Sequence, residues 1–248
     1  MTTVLKLGGS VVTRKDEPET VDEEALADAA DALAAATDAS NSADVVLVHG
    51  GGSFGHPYAA EHEVSPTEGT HDALAVREIH GAMRRLNETV CTALGERDVP
   101  AVPHHPYTAG YRDSDETLTL PTDAVDAKLD EGFLPVLHGD VVTHVGQGAT
   151  VVSGDQLVVT LARGLGADRV GVCSTVPGVL DDDGEVIPEI SVFEDVEAYL
   201  GGSEATDVTG GMAAKVRALL ALDAPVSVFG PAALEEFLEG GEPGTLVD

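Results

Sequence analysis

Residues 44–53 read Asp-Val-Val-Leu-Val-His-Gly-Gly-Gly-Ser, a nearly unbroken apolar run that leads directly into glycines. Such a run is typical of a parallel-sheet strand that is buried on both faces. Val4-Leu5-Lys6-Leu7 followed by Gly8-Gly9-Ser10 repeats the arrangement near the N-terminus. Because parallel strands end at one edge of a sheet, both glycine turns are expected at a shared ligand-binding edge. The chain is therefore predicted to be an α/β protein.

The alternation of strands and helices continues along the whole chain. Strands are predicted at 4–7, 44–49, 101–102, 133–137, 169–173 and 226–229, and helices at 23–36, 71–96, 121–131, 153–165, 212–222 and 232–239. Residues 177–190 contain a proline, a glycine and an Asp-Asp-Asp-Gly turn, which indicate a hairpin or loop. The pattern predicts one domain with a mainly parallel sheet. A division near residue 150 would separate two lobes on one continuous sheet, 1–150 and 151–248.

The charge composition limits the class of partner. The chain has 44 acidic and 13 basic residues, a net charge of −31, and the acids are dispersed along it. A surface this acidic repels nucleic acid and anionic membranes, so neither is expected as a partner. Dispersed acids with few lysines resemble the surfaces of proteins from salt-loving organisms, where salt screens the repulsion between carboxylates.

The same composition indicates a cytoplasmic protein. No apolar run reaches the roughly 18 residues that a membrane span requires, and the N-terminus lacks the pattern of a signal peptide. The two cysteines, Cys91 and Cys173, have neither CxxC spacing nor the count of a disulfide framework. A reducing compartment is therefore expected, and the sequence predicts no structural metal site.

Lysine is scarce here, and three of the four lysines accompany glycines. Lys6 precedes the first glycine turn, Lys15 follows it by five residues, and Lys215 comes four residues after Gly210-Gly211. Glycine lets backbone N–H groups approach an anion closely, and the next helix terminus adds a positive field. The pattern predicts a nucleotide polyphosphate site, although neither turn has P-loop or dinucleotide-binding spacing. The fourth lysine, Lys128, lies among acids and is interpreted as a surface residue.

Five segments, in this order, resemble the amino acid kinase superfamily: Lys6-Leu7-Gly8-Gly9-Ser10 with Thr13 and Lys15, then 49–57, 138–142, 153–156 and 206–215. The match covers nearly the whole chain. Gly-Ser-Phe-Gly-His-Pro at 52–57 is similar to the isopentenyl phosphate kinase family and its fosfomycin-kinase relatives. The resemblance implies an αβα sandwich, usually a homodimer, with ATP over residues 151–248 and the phosphoryl acceptor in 1–150. With the composition, it points to a salt-adapted archaeon.

The resemblance further implies transfer of the ATP γ-phosphoryl to isopentenyl phosphate, giving isopentenyl diphosphate in a variant of the mevalonate pathway. Lys15 would stabilise the transition state, with Lys6 beside the transferring group and His56 on the acceptor phosphate. The implied ATP site comprises Lys6, Gly8, Gly9, Ser10, Gly52, Ser174, Gly178, Gly211 and Lys215. The implied acceptor site comprises Gly51, Ser53, His56, Gly139 and Gly154, with Val76, Ile79 and Met83 against the hydrocarbon tail. Mg²⁺ would accompany ATP, held mostly by phosphate oxygens.

Each of these assignments has a plainer alternative. Lys15 could be a solvated surface charge, and His56 could cap a helix. The face that carries Val76, Ile79 and Met83 could be ordinary core. His49 ends a buried strand and is interpreted as structural.

The acids leave alternatives open as well. Asp140 and Asp155 could orient lysines or serve as turn acids, and neither needs to abstract a proton because a phosphate monoester is already ionised. At 174–178 the chain has Ser-Thr-Val-Pro-Gly where the family has two acids, so no acidic contact is carried over there.

Two other functions stay open at this stage. One is a kinase of the same fold that acts on fosfomycin, a nucleoside monophosphate or a carboxylate. A carboxylate kinase is expected to place an arginine near the acceptor, and Arg14 is the basic residue nearby besides the lysines. The other is a non-catalytic nucleotide sensor. Lys6, Lys15 and His56 together argue against it, because a sensor has no transition state to stabilise.

Overall fold

The structure is a computed structural model that describes residues 1–38, 44–200 and 211–248. Its strands are β1 (Thr2–Leu7), β2 (Asp44–His49), β3 (Ala101–Pro103), β4 (Tyr111–Arg112), β5 (Leu118–Thr119), β6 (Leu134–His138), β7 (Asp140–His144), β8 (Gly148–Val152), β9 (Arg169–Cys173), β10 (Glu189–Ile190), β11 (Val226–Phe229) and β12 (Thr245–Val247). Its α-helices are α1 (Gly9–Val12), α2 (Glu23–Asp38), α3 (Gly52–Glu61), α4 (Ala73–Gly95), α5 (Pro106–Ala109), α6 (Asp123–Asp130), α7 (Gly154–Leu165), α8 (Glu197–Leu200), α9 (Gly211–Leu219) and α10 (Leu234–Leu238). Among these helices, none is both long enough and apolar enough to cross a membrane.

Eight strands form the central sheet in the order β10-β12-β11-β9-β1-β2-β6-β3. Every neighbouring pair is parallel except β11 and β12, which run antiparallel. The predicted α/β class and the mainly parallel sheet are therefore confirmed. The six predicted strands correspond to β1, β2, β3, β6, β9 and β11, and the predicted loop at 177–190 contains an antiparallel bridge between Leu180 and Val186.

Strand residues alternate between two buried cores, one on each face of the sheet. Leu5, Leu47 and Val136 pack with α2, α4 and α10 on one face. Their sequence neighbours Val4 and Val46 pack with α6, α7 and α9 on the other. Burial on both faces explains why the strands are apolar at nearly every position. The layers form an αβα sandwich, as the family resemblance implied.

A second, four-stranded sheet was not predicted from the sequence. Its order is β5-β4-β7-β8, and β7 and β8 form an antiparallel hairpin with Asp140 opposite Val152. Gly146 and Gly148 have positive φ angles of 86° and 82° in the connecting turn, a conformation that glycine adopts without steric cost. A small apolar cluster joins this sheet to α3 and α4: Ala59, Val64, Ile79, Val141 and Ala149.

Helix α3 was also not predicted from the sequence. It begins at Gly52, within the glycine run, and includes both His56 and Pro57. Proline inside a helix removes one backbone donor and normally disfavours the helix. Here the carbonyl that would have received that donor, Ser53 O, accepts a hydrogen bond at 3.0 Å from the N–H of Glu19 instead.

Candidate active site

The register of the central sheet places the glycine turns side by side at its carboxyl edge. Leu7, His49 and His138 are neighbours across β1, β2 and β6. The N–H of Gly50 donates to Leu7 O at 2.9 Å, and the N–H of Gly139 donates to His49 O at 3.0 Å. Each turn therefore begins where the strand pairing ends, the position at which open parallel sheets bind ligands.

The two N-terminal glycine turns are in backbone contact. A Cβ atom on Gly9 would lie 2.3 Å from the nitrogen of Gly52, and one on Gly50 would lie 2.4 Å from the nitrogen of Gly9. Thr13 joins the turns, because its hydroxyl donates to Gly9 O at 2.8 Å and accepts from the N–H of Ser53 at 3.0 Å. A side chain larger than hydrogen at either turn would force the turns apart.

A cavity of about 790 Å³ opens at this edge. Fifteen of the predicted site residues line it: Lys6, Gly8, Gly9, Ser10, Lys15, Gly51, Gly52, Ser53, His56, Ile79, Met83, Gly139, Gly154, Ser174 and Lys215. The volume lies within the range of small-molecule sites, roughly 300–1,000 Å³.

The remaining predicted residues lie elsewhere. Val76 does not line the cavity and packs against the apolar cluster that contains Ile79 and Val141. Gly178 lies against Val186 and Thr245 and not among the lining residues. Gly211 begins α9, the helix that carries Lys215. Residues 206–210 of the predicted nucleotide motif lie outside the described residues.

Lys6 and Lys215 meet at one carboxylate, that of Asp155. Lys6 Nζ lies 2.7 Å from Asp155 Oδ1, and Lys215 Nζ lies 3.9 Å from Oδ2. Lys6 shares the α7 face of β1 with Val4, because side chains alternate along a strand. Burial alone would raise the pKa of Asp155, but the two ammonium groups outweigh it and lower the pKa. Asp155 therefore remains ionised at neutral pH and aligns both lysines with the cavity.

Two helix N-termini also face the cavity. Helix α7 begins at Gly154 with a capping box: Ser153 Oγ accepts from the N–H of Gln156 at 3.2 Å, and Gln156 Oε1 accepts from the N–H of Ser153 at 3.1 Å. Helix α3 begins at Gly52, and its first turns carry His56. The positive ends of both dipoles favour negatively charged groups in the cavity.

Comparison with known proteins agrees with this geometry. Residues 1–222 match the amino acid kinase family. The chain belongs to the amino acid kinase family. An isopentenyl phosphate kinase of Haloferax volcanii is 65% identical over 244 residues, covering 98% of this chain and 97% of the relative. An isopentenyl phosphate kinase of Methanocaldococcus jannaschii is 34% identical, covering 87% and 85%. A crystal structure of an isopentenyl phosphate kinase superposes with a TM-score of 0.83 at 27% identity and full coverage of both chains.

Beneath the cavity, this member of the amino acid kinase family has a buried group of histidines. His49 and His138 are fully buried, with ring centroids 5.6 Å apart. His138 Nε2 lies 2.9 Å from His105 Nδ1, and His80 Nδ1 lies 2.8 Å from Asp140 Oδ2. From the sequence, Asp140 could have oriented a lysine or served as a turn acid. In the structure its carboxylate instead forms a hydrogen bond with His80.

The carbonyl contacts decide the tautomers of the two deepest rings. His49 Nδ1 faces Gly50 O at 3.1 Å and His138 Nδ1 faces Gly139 O at 3.0 Å, so each Nδ1 carries the proton. His49 Nε2 is then an acceptor. It lies 3.0 Å from Asn87 Oδ1, which is also an acceptor, whereas the buried amide nitrogen of Asn87 has no hydrogen-bond partner among the described residues. We infer that the amide is turned so that Asn87 donates to His49.

Acidification is expected to destabilise the protein through His49. Burial lowers the pKa of His49 to about 4 from its ordinary value of 6.5, despite the hydrogen bond that Nδ1 donates to Gly50 O. The unfolded chain therefore binds a proton below about pH 6.5 that the folded chain takes up only near pH 4. Stability present above pH 6.5 is lost as the pH falls, by about 2 kcal/mol at pH 5.

His49→Gln tests this expectation. Denaturant unfolding between pH 4.5 and 7.5 at constant KCl gives the slope of stability against pH. The slope of the variant should be shallower by about one proton than that of the wild type. The matched control is His62→Gln, which replaces a partly exposed histidine paired with Glu78. Equal slopes for His49→Gln and the wild type would contradict the prediction.

The role of one residue of the site was only partly predicted from the sequence, and three residues near it were not predicted. Asp155 was left as either a lysine orienter or a turn acid, and the structure shows that it contacts both lysines. The three residues that were not predicted are Glu19, which is on the loop that carries Lys15, and its neighbours Tyr58 and Arg85. An acid in the first turn of a helix after a Ser-x-x-Gln capping box was a usable signal for Asp155. The other three give no such signal, because they converge from three separate elements.

Proposed function

We propose that the protein transfers the γ-phosphoryl group of ATP to isopentenyl phosphate, giving isopentenyl diphosphate. The observation that carries the proposal is the composition of the cavity lining, which includes three lysines, both N-terminal glycine turns and the apolar side chains of Ile79 and Met83. His56 lines the same cavity. A lining that contains both cationic and apolar side chains suits a phosphate attached to a short hydrocarbon. The isopentenyl phosphate kinases at 65% and 34% identity support the same acceptor.

In this proposal the nucleotide phosphates lie against the glycine turns. Gly8, Gly9, Ser10 and Gly52 present backbone to the β- and γ-phosphates, and Lys6 and Lys215 neutralise them. Ser174 would contact ATP from the cavity lining. Gly178 and Gly211 do not line the cavity and would belong to the nucleotide site only through the loop that contains Gly178 and the helix that begins at Gly211. The absence of Cβ atoms at the turns lets backbone N–H groups approach phosphate oxygens.

The acceptor phosphate lies against His56, with backbone of Gly51, Gly139 and Gly154 around it. Ser53 supports this wall from within α3. Ile79 and Met83 contact the hydrocarbon tail, and Val76 packs against the apolar cluster that contains Ile79. The acceptor is already an anion, so no base is needed. The protein has to hold two anions in line and neutralise the charge that spreads over the transferring oxygens.

Mg²⁺ is expected to enter with ATP. Among the described residues, no group of three His, Cys, Asp or Glu side chains could hold a metal ion. Asp155, the acid nearest the lysines, already has both oxygens facing ammonium groups. Phosphate oxygens would therefore supply most of the ligands other than the waters that Mg²⁺ usually keeps at nucleotide sites. When bound, the ion would offset negative charge on the β- and γ-phosphates.

A panel of acceptors tests the function. Purified protein is incubated with ATP, Mg²⁺ and strong KCl, and each product is identified by mass. The acceptors are isopentenyl phosphate, isopentenol, fosfomycin, a nucleoside monophosphate and an acylated amino acid. We expect the highest kcat/KM with isopentenyl phosphate and no turnover of isopentenol. Preference for fosfomycin, a nucleotide or a carboxylate would assign another acceptor, and ATP binding without any turnover would indicate a sensor.

His56→Ala is expected to raise the KM for isopentenyl phosphate by about tenfold or more, because a charge-assisted hydrogen bond to phosphate is lost. The KM for ATP should change much less. Steady-state kinetics with each substrate varied in turn separates the two effects. The control is His62→Ala, which removes a histidine at the end of the same helix that does not line the cavity. An unchanged KM for the acceptor would remove His56 from its site.

Three expectations from the sequence stay predictions. They are a homodimer, a cytoplasmic location and a division near residue 150 into an acceptor lobe and a nucleotide lobe. Sedimentation equilibrium in strong KCl tests the first of them. A monomer at micromolar concentration would contradict it.

A further inference from the structure

The loop at residues 14–22, which carries Lys15, is joined to helix α3 by a carbonyl that the helix leaves free. Pro57 lies four residues after Ser53 and has no N–H, so Ser53 O lacks the donor that a helix normally supplies. The N–H of Glu19 donates to this carbonyl at 3.0 Å. The Ser53 hydroxyl completes the junction, because it accepts from Thr20 N at 3.3 Å and donates to Thr20 O at 3.2 Å.

The side chain of Glu19 extends the junction to both helices. Its carboxylate contacts the guanidinium of Arg85 on α4 and interacts with the hydroxyl of Tyr58 on α3. Burial alone would raise the pKa of Glu19, but the hydrogen bonds from Arg85 and Tyr58 outweigh it and lower the pKa. The carboxylate is therefore ionised at neutral pH, in the form that bonds both partners.

The backbone of Glu19 is itself unusual. Its φ angle is +50°, in the left-handed region. A non-glycine residue in this region is strained and persists where its surroundings determine its conformation. Here the surroundings are the Ser53 carbonyl on one side and the pair Tyr58 and Arg85 on the other. The loop is thus held at one residue by both its backbone and its side chain.

We propose that Glu19 is a positioning residue that holds Lys15 at the cavity by fixing loop 14–22 to α3 and α4. Helix α3 carries His56, and α4 carries Ile79 and Met83, so the elements of the proposed acceptor site also fix the lysine. Lys15 is four residues from Glu19, and an antiparallel bridge between Thr13 and Val21 closes the loop behind both. This role rests on the phosphoryl transfer proposed above, because it assumes that Lys15 acts on the transferring group.

A double-mutant cycle between Glu19 and Lys15 tests the role. Displacing a catalytic group by roughly 1 Å can cost about 10²-fold in rate, so Glu19→Ala is expected to lower kcat by about 10- to 100-fold. In the Lys15→Ala background the same substitution should change kcat by less than about twofold, because the group that Glu19 positions is gone. Single-turnover measurements with labelled ATP make the slow variants measurable.

Two further variants complement the double-mutant cycle, one as a milder perturbation of the Glu19 contacts and one as a control. Tyr58→Phe removes the hydroxyl that interacts with the Glu19 carboxylate and should lower kcat in the same direction by a smaller factor. Asp31→Ala is the matched control, because Asp31 contacts Arg97 as Glu19 contacts Arg85, and it does not line the cavity. It should leave kcat and both KM values unchanged. Thermal unfolding checks that Glu19→Ala remains folded under the assay conditions.

The outcomes separate this role from the proposed function. Wild-type protein that phosphorylates no acceptor in the panel would overturn the function. Where the wild type turns over an acceptor, the cycle is run with that acceptor. Equal rate losses from Glu19→Ala in both backgrounds would show a structural role alone, and no loss in the wild-type background would show no role. Either result overturns the positioning of Lys15 by Glu19.

Discussion

Replacing Lys15 by alanine is expected to lower kcat by about 10³-fold while the Kd for ATP changes by less than about threefold. Lys15 is exposed and lines the cavity at the end of the loop nearest the glycine turns. In phosphoryl transfer, negative charge spreads over the transferring oxygens only as the bond breaks. A cation aimed at that group stabilises the transition state more than the bound nucleotide. Steady-state kinetics gives kcat, and calorimetry gives the Kd for ATP.

Arg14→Ala is the control for Lys15→Ala. Arg14 is adjacent in the chain, exposed, and 3.9 Å from Glu17, and it does not line the cavity. Its removal changes the charge of the loop by the same amount, so a general electrostatic effect would appear in both variants. We expect Arg14→Ala to change kcat by less than about threefold. If Lys15→Ala lowered kcat and ATP affinity equally, Lys15 would be an ordinary binding residue.

The fold was largely predictable because its signals are local. Runs such as 44–49 and 169–173 are apolar at nearly every position, a consequence of burial on both faces of a parallel sheet. Their observed bounds are identical to the predicted ones. The hairpin of β7 and β8 was missed although a glycine-containing turn, Gly146-Gln147-Gly148, connects its strands, which is a known hairpin signal. Helix α3 was missed because glycine and proline have low helix propensity. In the structure, the loop that carries Lys15 supplies a donor, the N–H of Glu19, to the Ser53 carbonyl that Pro57 leaves without one.

The lysines of the site were predictable because lysine is rare in this chain. In a chain with a net charge of −31, a lysine beside a glycine turn is informative, and Lys6, Lys15 and Lys215 line one cavity. The partners of these lysines were not predictable. Asp155 lies 149 residues from Lys6 in sequence, and 44 acids compete for the assignment. Glu19 and Arg85 are 66 residues apart, and only the fold brings them into contact.

Asp155→Asn is the second substitution with a large expected effect, on both stability and turnover. Asp155 gives one oxygen to Lys6, which is 7% exposed, and the other to Lys215. A neutral amide leaves two nearby positive charges without the carboxylate that separates and aligns them. Removing one member of a mostly buried charge cluster costs on the order of 3 kcal/mol, which corresponds to a Tm lower by about 6–12 °C. We expect kcat to fall by at least about 10²-fold, because misaligned ammonium groups stabilise the transferring phosphoryl poorly.

The control for Asp155→Asn is Asp123→Asn, which replaces another first-turn acid on a helix, exposed and outside the cavity lining. If Asp155 served only as a first-turn acid, the two variants would lose similar, small amounts of stability. ATP provides the deciding measurement. Its phosphates also neutralise Lys6 and Lys215, so saturating ATP should narrow the Tm gap between Asp155→Asn and the wild type. A gap of unchanged size would show that the polyphosphate and Asp155 do not share these lysines.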